Sequence, residues 1–285
     1  MRKLMMAMSA ALMLTSCSQE PEPIAGGQVH ERADSMDVVE ITFDFPNITQ
    51  QAMTRGTLEA ANMTDLWLFD FVGGSLVQTK HQQATDEGFG TVSVTADTGT
   101  HTFCFVASRG SDATVTDGEI TWGKPSDTFW RSVTMAVTPK TGTAQTVELQ
   151  RVATRLRITV TDEVPTTLSK LVVNADTWYC GLDALTGEPT AANERTATIN
   201  VPSSYAGTTG QLSASIFGLC SDDYTTGVTV TALDGSNETI ASVALADVPM
   251  QKNVTTQYSG PLFSRQQIFS LTAADAWGDD VVMTW

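Results

Sequence analysis

Basic side chains are scarce in this chain, with 16 Lys and Arg against 32 Asp and Glu, and the formal net charge is −16 at pH 7. Such an acidic surface repels phosphate backbones, so we expect no nucleic-acid partner. Histidine is rarer still, and His30, His81 and His101 have no metal-ligand spacing. The sequence therefore predicts neither a metal site nor a cofactor.

Cysteine is equally sparse, with four residues at Cys17, Cys104, Cys180 and Cys220. The last three have no short spacing between them, which argues against a zinc knuckle or a dense disulfide framework. Two interpretations stay open for these three. They are small buried hydrophobic residues, or one pair is oxidised in a compartment outside the cytosol.

No apolar run is long enough to cross a membrane as a helix. The longest candidate, Leu4 to Leu14, is far shorter than the roughly 20 residues that a bilayer requires. Arg2 and Lys3 precede it and Thr15-Ser16-Cys17 follows, the order of an export signal. The end of this segment resembles a bacterial lipobox, so residues 1–16 are predicted to be a signal peptide and Cys17 the lipidated residue. The alternative is an ordinary secretory signal with an incidental cysteine.

The segment after Cys17 is poor in apolar residues. Residues 17–37 contain Pro21, Pro23, Gly26 and Gly27 together with several acidic residues, which is typical of a disordered tether. A lipid anchor needs such a spacer to hold a folded body clear of the membrane. We therefore expect an outer-membrane lipoprotein.

Helical periodicity is missing over any dozen residues, and period-two alternation takes its place. The pattern predicts an all-β chain of two β-sandwich domains in series, at 38–162 and 163–285, divided at the acidic, proline-bearing link 161–165. The predicted strands are 38–45, 66–71, 91–95, 101–107, 131–137, 146–150, 153–160, 168–174, 196–200, 211–218, 227–233, 239–245 and 281–285.

Catalytic signatures are also lacking: there is no H-E-x-x-H helix, no G-x-S-x-G elbow and no phosphate-binding loop. Asp97-Thr98-Gly99-Thr100 matches the turn of aspartic proteases, but those enzymes need two such turns and only one copy is present. The same four residues suit a β-hairpin turn, with Gly99 supplying a positive φ. The sequence therefore predicts a hairpin here and a protein that is not an enzyme.

The first predicted strand, VVEITFDF, has a clear buried face. Val39, Ile41, Phe43 and Phe45 fall on one side of it, and Pro46 ends it. A polar stretch follows, in which Arg55 and Gly56 form a bond that a trypsin-like protease would reach easily.

Taken together, these features resemble the fimbrillins and fimbrial anchor proteins of type V pili, found in Gram-negative anaerobes of the gut and mouth. The resemblance extends over essentially the whole chain. It rests on the order of the lipobox at Cys17, Thr54-Arg55, LWLFDF (66–71), VELQRVATRLRITV (147–160), VPMQKNVTTQYSGPLF (248–263) and a terminal Trp-Gly…Trp strand.

The resemblance implies two transthyretin-like β-sandwich domains and export as a lipoprotein to the outer membrane. It further implies polymerisation with other fimbrial subunits into surface fibres that adhere to a host or bacterial receptor. In stalk subunits of the family, an arginine-specific protease removes the segment ahead of the first domain. The first strand leaves with it, and a terminal strand of the neighbouring subunit fills the groove.

This chain has residues that suit that mechanism. A cut after Arg55 would detach Val39, Ile41, Phe43 and Phe45, removing on the order of 6–12 kcal/mol of burial at roughly 1.5–3 kcal/mol per side chain. Val281, Met283 and Trp285 alternate at the end of the chain. They predict either a donor strand or a plain last strand, and the subunit's role as stalk, tip or anchor stays open.

A second function fits the same composition: a surface lipoprotein that binds glycans without polymerising. Glycan binders expose aromatic platforms, for which the sequence offers six tryptophans, although most adjoin strand residues and suit a core. They are Trp67, Trp122, Trp130, Trp178, Trp277 and Trp285.

Overall fold

The structure is a computed structural model, which describes residues 38–46, 63–110, 112–141, 144–264 and 269–276, the last strand (270–276) by its backbone alone. The signal peptide, the tether, the lipidation site Cys17, the Arg55–Gly56 bond and the predicted donor residues Val281, Met283 and Trp285 lie outside these residues. Among the described residues no helix is long and apolar enough to cross a membrane.

Strands dominate, so the all-β class is confirmed. In chain order they are β1 (Val38–Asp44), β2 (Asp65–Val72), β3 (Ser75–Gln83), β4 (Thr91–Asp97), β5 (Gly99–Ser108), β6 (Ala113–Thr116), β7 (Glu119–Trp122), β8 (Thr128–Val137), β9 (Ala144–Thr146), β10 (Gln150–Arg151), β11 (Ala153–Val160), β12 (Leu168–Asp183), β13 (Pro189–Asn200), β14 (Ser213–Leu219), β15 (Tyr224–Asp234), β16 (Thr239–Met250), β17 (Val254–Gly260) and β18 (Ser270–Ala276).

The first sandwich has two facing sheets. Sheet 1 has the order β4-β1-β9, and sheet 2 has the order β10-β8-β5-β2-β3. Alternate residues of both sheets point inward and form one buried cluster, which includes Ile41 and Phe43 from sheet 1 and Leu66, Leu68 and Phe103 from sheet 2.

The second sandwich repeats this arrangement with longer strands. Sheet 3 has the order β14-β11-β17-β18, and sheet 4 has the order β16-β15-β12-β7-β6 with β13 also paired to β12. Leu156 and Ile158 from sheet 3 pack with Leu171, Val173 and Val230 from sheet 4 in a second core.

A third apolar cluster covers the other face of sheet 2. Trp67, Phe69 and Val106 project from that face and pack with Ile120 and Leu182 of sheet 4. As a result every residue of β2 from Asp65 to Phe71 is buried. The apolar run of LWLFDF has its explanation in this double burial, since a strand covered on both faces loses its alternation.

Strand pairing crosses the predicted division at residue 162. β11 precedes that residue but pairs with β14 and β17 of the second sandwich, and the hairpin β6–β7 pairs with β12. The backbone therefore first enters sheet 3 at Ala153. The domain bounds 38–162 and 163–285 stay a prediction about folding units.

Two local predictions were wrong. The strand predicted at 146–150 is two short strands in different sheets, β9 and β10, because Val147 to Leu149 carry the chain from one sheet to the other. The segment at Asp97–Gly99 is not a hairpin turn, because β4 pairs with β1 whereas β5 pairs with β2 and β8. Gly99, at φ +152°, makes a crossing between the two sheets.

Candidate functional site

The candidate site is the slot that β1 occupies in sheet 1. β1 pairs antiparallel with β4 from Val38↔Asp97 to Asp44↔Thr91, and parallel with β9 from Thr42↔Ala144 to Asp44↔Thr146. It is therefore the central strand of a three-stranded sheet. Taking it away would leave two facing strand edges with unpaired backbone groups.

The inward side chains of β1 lie deep in the first core. Ile41 and Phe43 are 0% exposed and Phe45 is 1% exposed, while Val39 packs against the cluster at its margin. The ring centroid of Phe43 lies 5.0 Å from that of Phe103 and 4.9 Å from that of Phe105. All four residues predicted for this face therefore sit on it, and the two phenylalanines enter pockets lined by aromatic rings.

Polar contacts fasten the outer side and the end of β1. The hydroxyls of Thr42 and Ser93 lie 2.8 Å apart, and the Thr91 hydroxyl donates to the Asp44 carboxylate at 2.8 Å. Beyond the strand, the Val147 amide donates to the Asp44 carbonyl at 2.9 Å. The two side-chain contacts are at the surface, so the strand is held mainly by its backbone ladder and its buried face.

A buried aspartate–histidine pair closes the slot at the end where β1 begins. His101 Nδ1 lies 2.8 Å from Asp70 Oδ1, and His101 Nε2 donates to the Asp97 carbonyl at 2.9 Å. Burial raises the pKa of the Asp70 carboxyl, while the hydrogen bond and charge of His101 act in the opposite direction. Since Asp97 faces Val38 in the ladder, this pair fixes the wall of the slot.

The last described strand, β18, is part of sheet 3. β18 pairs antiparallel with β17 at the edge of the sheet. The connection before it is held by Asp162, whose carboxylate accepts hydrogen bonds from the amides of Leu262 (3.0 Å), Phe263 (2.7 Å) and Ser264 (2.9 Å). The predicted donor residues follow β18 in the chain.

The described tryptophans do not form a surface platform. Trp67, Trp122 and Trp178 are buried, and the half-buried Trp130 donates its indole N–H to the Ala184 carbonyl at 2.8 Å. Trp277 and Trp285 lie outside the described residues.

The three cysteines are free thiols, with Cys104 and Cys220 buried and Cys180 half-buried. Burial raises the pKa of Cys104 and of Cys220 to about 12, so both stay protonated and inert at neutral pH. The structure therefore has no disulfide among these three residues, and two of the three are buried.

Comparison with known proteins shows the family. Residues 112–284, more than half of the chain, match a family of unknown function, DUF6562. The chain belongs to this family. The matched range contains the second sandwich and β9, one wall of the slot, and excludes β1 and β4. No curated protein matches the chain.

Solved structures share the fold at low sequence identity. A candidate adhesin from Bacteroides ovatus aligns with a TM-score of 0.50 and 13% identity, over 84% of this chain and 96% of that one. Candidate polysaccharide-binding proteins from Bacteroides thetaiotaomicron align with a TM-score of 0.51 and 9% identity, over 84% and 95%. A second candidate adhesin from Bacteroides ovatus aligns with a TM-score of 0.51 and 9% identity, over 82% and 88%.

Two parts of the slot could not be predicted from the sequence. β9 is three residues long and two of them are polar, so no alternation marks it as a wall. The Asp70–His101 pair joins residues from two strands, and the only hint is a charged residue inside the apolar run LWLFDF. An acid in a buried strand needs a partner, which is a signal that it lies near a basic group.

Proposed function

We propose that this protein is a subunit of a surface fibre and that its first strand is a replaceable element of the fold. The observation that carries the proposal is the position of β1 between β4 and β9, with Ile41, Phe43 and Phe45 in the core. A strand in that position can be exchanged for another strand of the same pattern without changing the rest of the sandwich. This is the physics of strand addition, which the β-augmentation of pilins illustrates.

Three further observations support the proposal. The segment that follows β1 contains Arg55-Gly56, a bond suited to a trypsin-like protease. The lipobox at Cys17 and the tether that follows would place the chain on the outer face of a membrane. The fold is shared with structures described as candidate adhesins, and adhesion is the role proposed for the assembled fibre.

The stalk or tip role and the anchor role predict different mature N-termini. Mass spectrometry of the intact cell-surface form, extracted with detergent and without added protease, is the measurement. An N-terminus at Gly56 identifies a stalk or tip subunit, whereas an acylated Cys17 identifies an anchor that keeps β1. A surface protein that is neither cut at Arg55 nor acylated contradicts the proposal.

A staple across the slot tests the exchange itself. Thr42 and Ser93 face each other in the β1–β4 ladder with their hydroxyls 2.8 Å apart, so Thr42→Cys with Ser93→Cys is positioned to form a disulfide. The stapled protein is cleaved at Arg55 and left to assemble without reductant. It should then give no series of oligomers on a denaturing gel. Reduction before assembly should restore the series.

A matched control exists within the same sandwich. Thr102 and Thr134 face each other in the β5–β8 ladder with hydroxyls 3.0 Å apart, and a cysteine pair there staples sheet 2 without touching β1. In both proteins Cys180, the half-buried thiol, is replaced by serine. Oligomer formation by the β1–β4 staple, or its loss in the control staple, would overturn the proposed exchange.

The glycan-binding alternative receives less support from the described residues. Its expected platform is an exposed aromatic surface, and Trp67, Trp122 and Trp178 are buried. Binding of the monomer to a glycan array, with no oligomers after cleavage, would favour that function over a fibre subunit.

A further inference from the structure

The strand β4 is an edge strand of sheet 1 and forms one wall of the slot. At its start the Phe45 amide donates to the Gly90 carbonyl at 3.0 Å. The alternation of an antiparallel ladder therefore turns the carbonyls of Thr91 and Asp97 away from β1. These two carbonyls lie at the two ends of β4, on its free edge.

Side chains of sheet 2 donate hydrogen bonds to both carbonyls. Gln82 of β3 donates from Nε2 to the Thr91 carbonyl at 2.8 Å and accepts from the Gly90 amide at 3.3 Å. His101 of β5 donates from Nε2 to the Asp97 carbonyl at 2.9 Å. An amide does not titrate and an imidazole does, so the two ends of this wall differ in their response to pH.

Both ring nitrogens of His101 face hydrogen-bond acceptors. Nδ1 lies 2.8 Å and 3.0 Å from the two carboxyl oxygens of Asp70, and Nε2 faces the Asp97 carbonyl, which has no proton to donate. Two forms of the pair satisfy both contacts: an imidazolium with a carboxylate, or a neutral ring protonated on Nε2 with a protonated Asp70. Both forms hold one proton more than a neutral ring beside a carboxylate.

Loss of that proton to solvent leaves too few hydrogens for both contacts. The remaining ring proton keeps either the bond to Asp70, from Nδ1, or the bond to the Asp97 carbonyl, from Nε2. Asp70 is 1% exposed and is then a buried charge, so the bond to its carboxylate is the one retained. The bond between His101 and β4 is therefore lost.

Two further titratable groups act on this pair or are acted on by it. The charge of the Asp97 carboxylate acts on Asp70, and it favours the form with the extra proton. Asp70 acts on the thiol of Cys104, which stays protonated because burial raises its pKa to about 12. The cross-strand partners of Asp70 on β3, of His101 on β8 and of Asp97 on β1 are uncharged: Gln78, Met135 and Val38.

We propose that His101 and Asp70 form a proton-dependent clamp on β4, which holds this wall of the slot while the pair keeps its extra proton and releases the Asp97 end when that proton leaves. Release at higher pH loosens the ladder where β1 begins. The clamp is a property of the uncut chain. Its effect on strand exchange rests on the proposed function, in which loss and replacement of β1 become faster at high pH.

The first test follows the His101 ring of the uncut protein by ¹⁵N NMR from about pH 5 to about pH 10. The clamp predicts two N–H groups at low pH and, after one proton is lost, a ring protonated on Nδ1 with a bare Nε2. His81, whose side chain is 39% exposed, is the internal control. A His101 ring that keeps its proton on Nε2 alone, or that does not change over this range, overturns the proposal.

Amide hydrogen exchange in the β1–β4 ladder is the second test. Ala96 pairs with Val39 near the clamp, and Val92 pairs with Phe43 near the other end. Once the pair has lost its proton, the protection factor of Ala96 should fall about fivefold, because one hydrogen bond is lost, and that of Val92 should stay constant. An unchanged Ala96, or an equal fall at both amides, contradicts the clamp.

Asp70→Asn separates the contacts from the proton. Its amide can donate to Nδ1, so a neutral ring keeps its bond to the Asp97 carbonyl across this pH range and the fall at Ala96 should disappear. Gln82→Ala is the matched control: it should lower protection of Val92 at every pH and leave the pH-dependent fall at Ala96. Persistence of that fall in Asp70→Asn overturns the proposal.

His101→Gln keeps the test decisive if Asp70→Asn does not fold. Its side-chain amide donates without titrating, so the pH-dependent fall should again vanish, and its persistence contradicts the clamp.

Protein cut at Arg55 shows the functional consequence. Replacement of β1 by a labelled peptide of residues 38–46 should be about fivefold faster above the titration of the pair than below it. Equal rates at both pH values contradict the proposed effect of the clamp. Absence of exchange at every pH contradicts the proposed function instead, and the ring and amide measurements on the uncut chain still decide the clamp.

Discussion

The first strand of sheet 1 and the strand β11 of sheet 3 have the same kinds of neighbour in their sheets. β1 lies between the antiparallel strand β4 and the parallel strand β9, and β11 lies between the antiparallel strand β14 and the parallel strand β17. Both bury alternate apolar residues in the core of their sandwich. Position in the sheet therefore does not distinguish β11 from β1, the strand proposed to be replaceable.

β1 and β11 differ in how the chain connects them to the rest of the fold and in how many residues pair with their parallel neighbour. β11 follows β10 after a single residue and is tied into the second sandwich over eight residues. β1 is paired with β9 over three residues only, and the chain between β1 and β2 contains Arg55. One cut in that segment would turn β1 into a separate peptide, whereas no single cut frees β11 so simply. The proposed exchange of β1 therefore depends on chain connectivity more than on burial.

A hydrogen bond from the arginine of a buried ion pair also joins the two sandwiches. Arg151 of β10 donates from Nε to Asp127 Oδ1 at 2.7 Å and from Nη2 to Asp127 Oδ2 at 3.1 Å, and its Nη1 donates to Asn253 Oδ1 at 3.1 Å. Asn253 lies between β16 and β17 of the second sandwich. This contact and the third apolar cluster hold the second sandwich against sheet 2, away from the slot.

Truncation of one core residue in β1 and of one in β11 sharpens the comparison most. Phe43→Ala and Leu156→Ala each remove a side chain that is 0% exposed, so both should lower the free energy of unfolding in urea, by about 3–5 and 2–5 kcal/mol respectively. After cleavage at Arg55, Phe43→Ala alone should also speed the loss of β1. Val77→Ala, at a side chain 56% exposed, is the control and should change little. A loss below about 1 kcal/mol for Phe43→Ala would contradict the buried role of β1.

Breaking the ion pair at the junction should have the next largest effect. Among the described residues, Arg151→Met leaves the buried Asp127 carboxylate only the longer contact to Arg109 at 3.9 Å, so we expect a loss of about 3 kcal/mol of stability. The equivalent change at the exposed Arg131 of β8 should cost less than about 0.5 kcal/mol. Equal effects of the two substitutions in urea unfolding would show that the junction does not depend on this pair.

The smallest expected effect on stability concerns the Asp70–His101 pair at the end of the slot. Since the pKa of Asp70 is raised above its ordinary value of 3.8 in the folded protein, the unfolded chain releases this proton first as pH rises. This group's contribution to stability therefore falls from pH 3.8 up to the folded-state pKa and then stays constant.

Asp70→Asn removes that contribution. Its stability relative to the parent protein should improve as pH rises from about 4 to 7, as measured by urea unfolding at each pH. Glu40→Gln, an exposed change on β1, should run parallel to the parent. A relative stability of Asp70→Asn that declines with rising pH would mean that the pKa of Asp70 is lowered.

The sequence predicts those strands that have one solvent-exposed face and one buried face. β1, β4 and β11 alternate and were found at or near their predicted bounds. β3 was missed because its residues are mostly polar on both sides, as suits an edge strand, and β6 was missed because it is short. Alternation reports burial of a face, and edge strands bury little.

The pairing of strands with one another cannot be predicted from local sequence patterns. The hairpin predicted at Asp97 had suitable turn residues, yet the same residues serve a crossing between sheets. The slot could be predicted as far as the face of β1, because Val39, Ile41, Phe43 and Phe45 alternate. Its walls could not, because the pairing of β1 with β4 and β9 joins residues about 50 and 100 positions apart, and such contacts are chosen by the packing of the whole sandwich.

Exchange of β1 in the cleaved protein tests the central claim most directly. The chain is cut at Arg55, an isotopically labelled peptide with the sequence of residues 38–46 is added in excess, and the bound species is weighed by native mass spectrometry. The account predicts that the labelled peptide replaces the original strand in the cut protein and not in uncut protein. Permanent retention of the original strand after cutting, or binding of the peptide to uncut protein to the same extent, would contradict it.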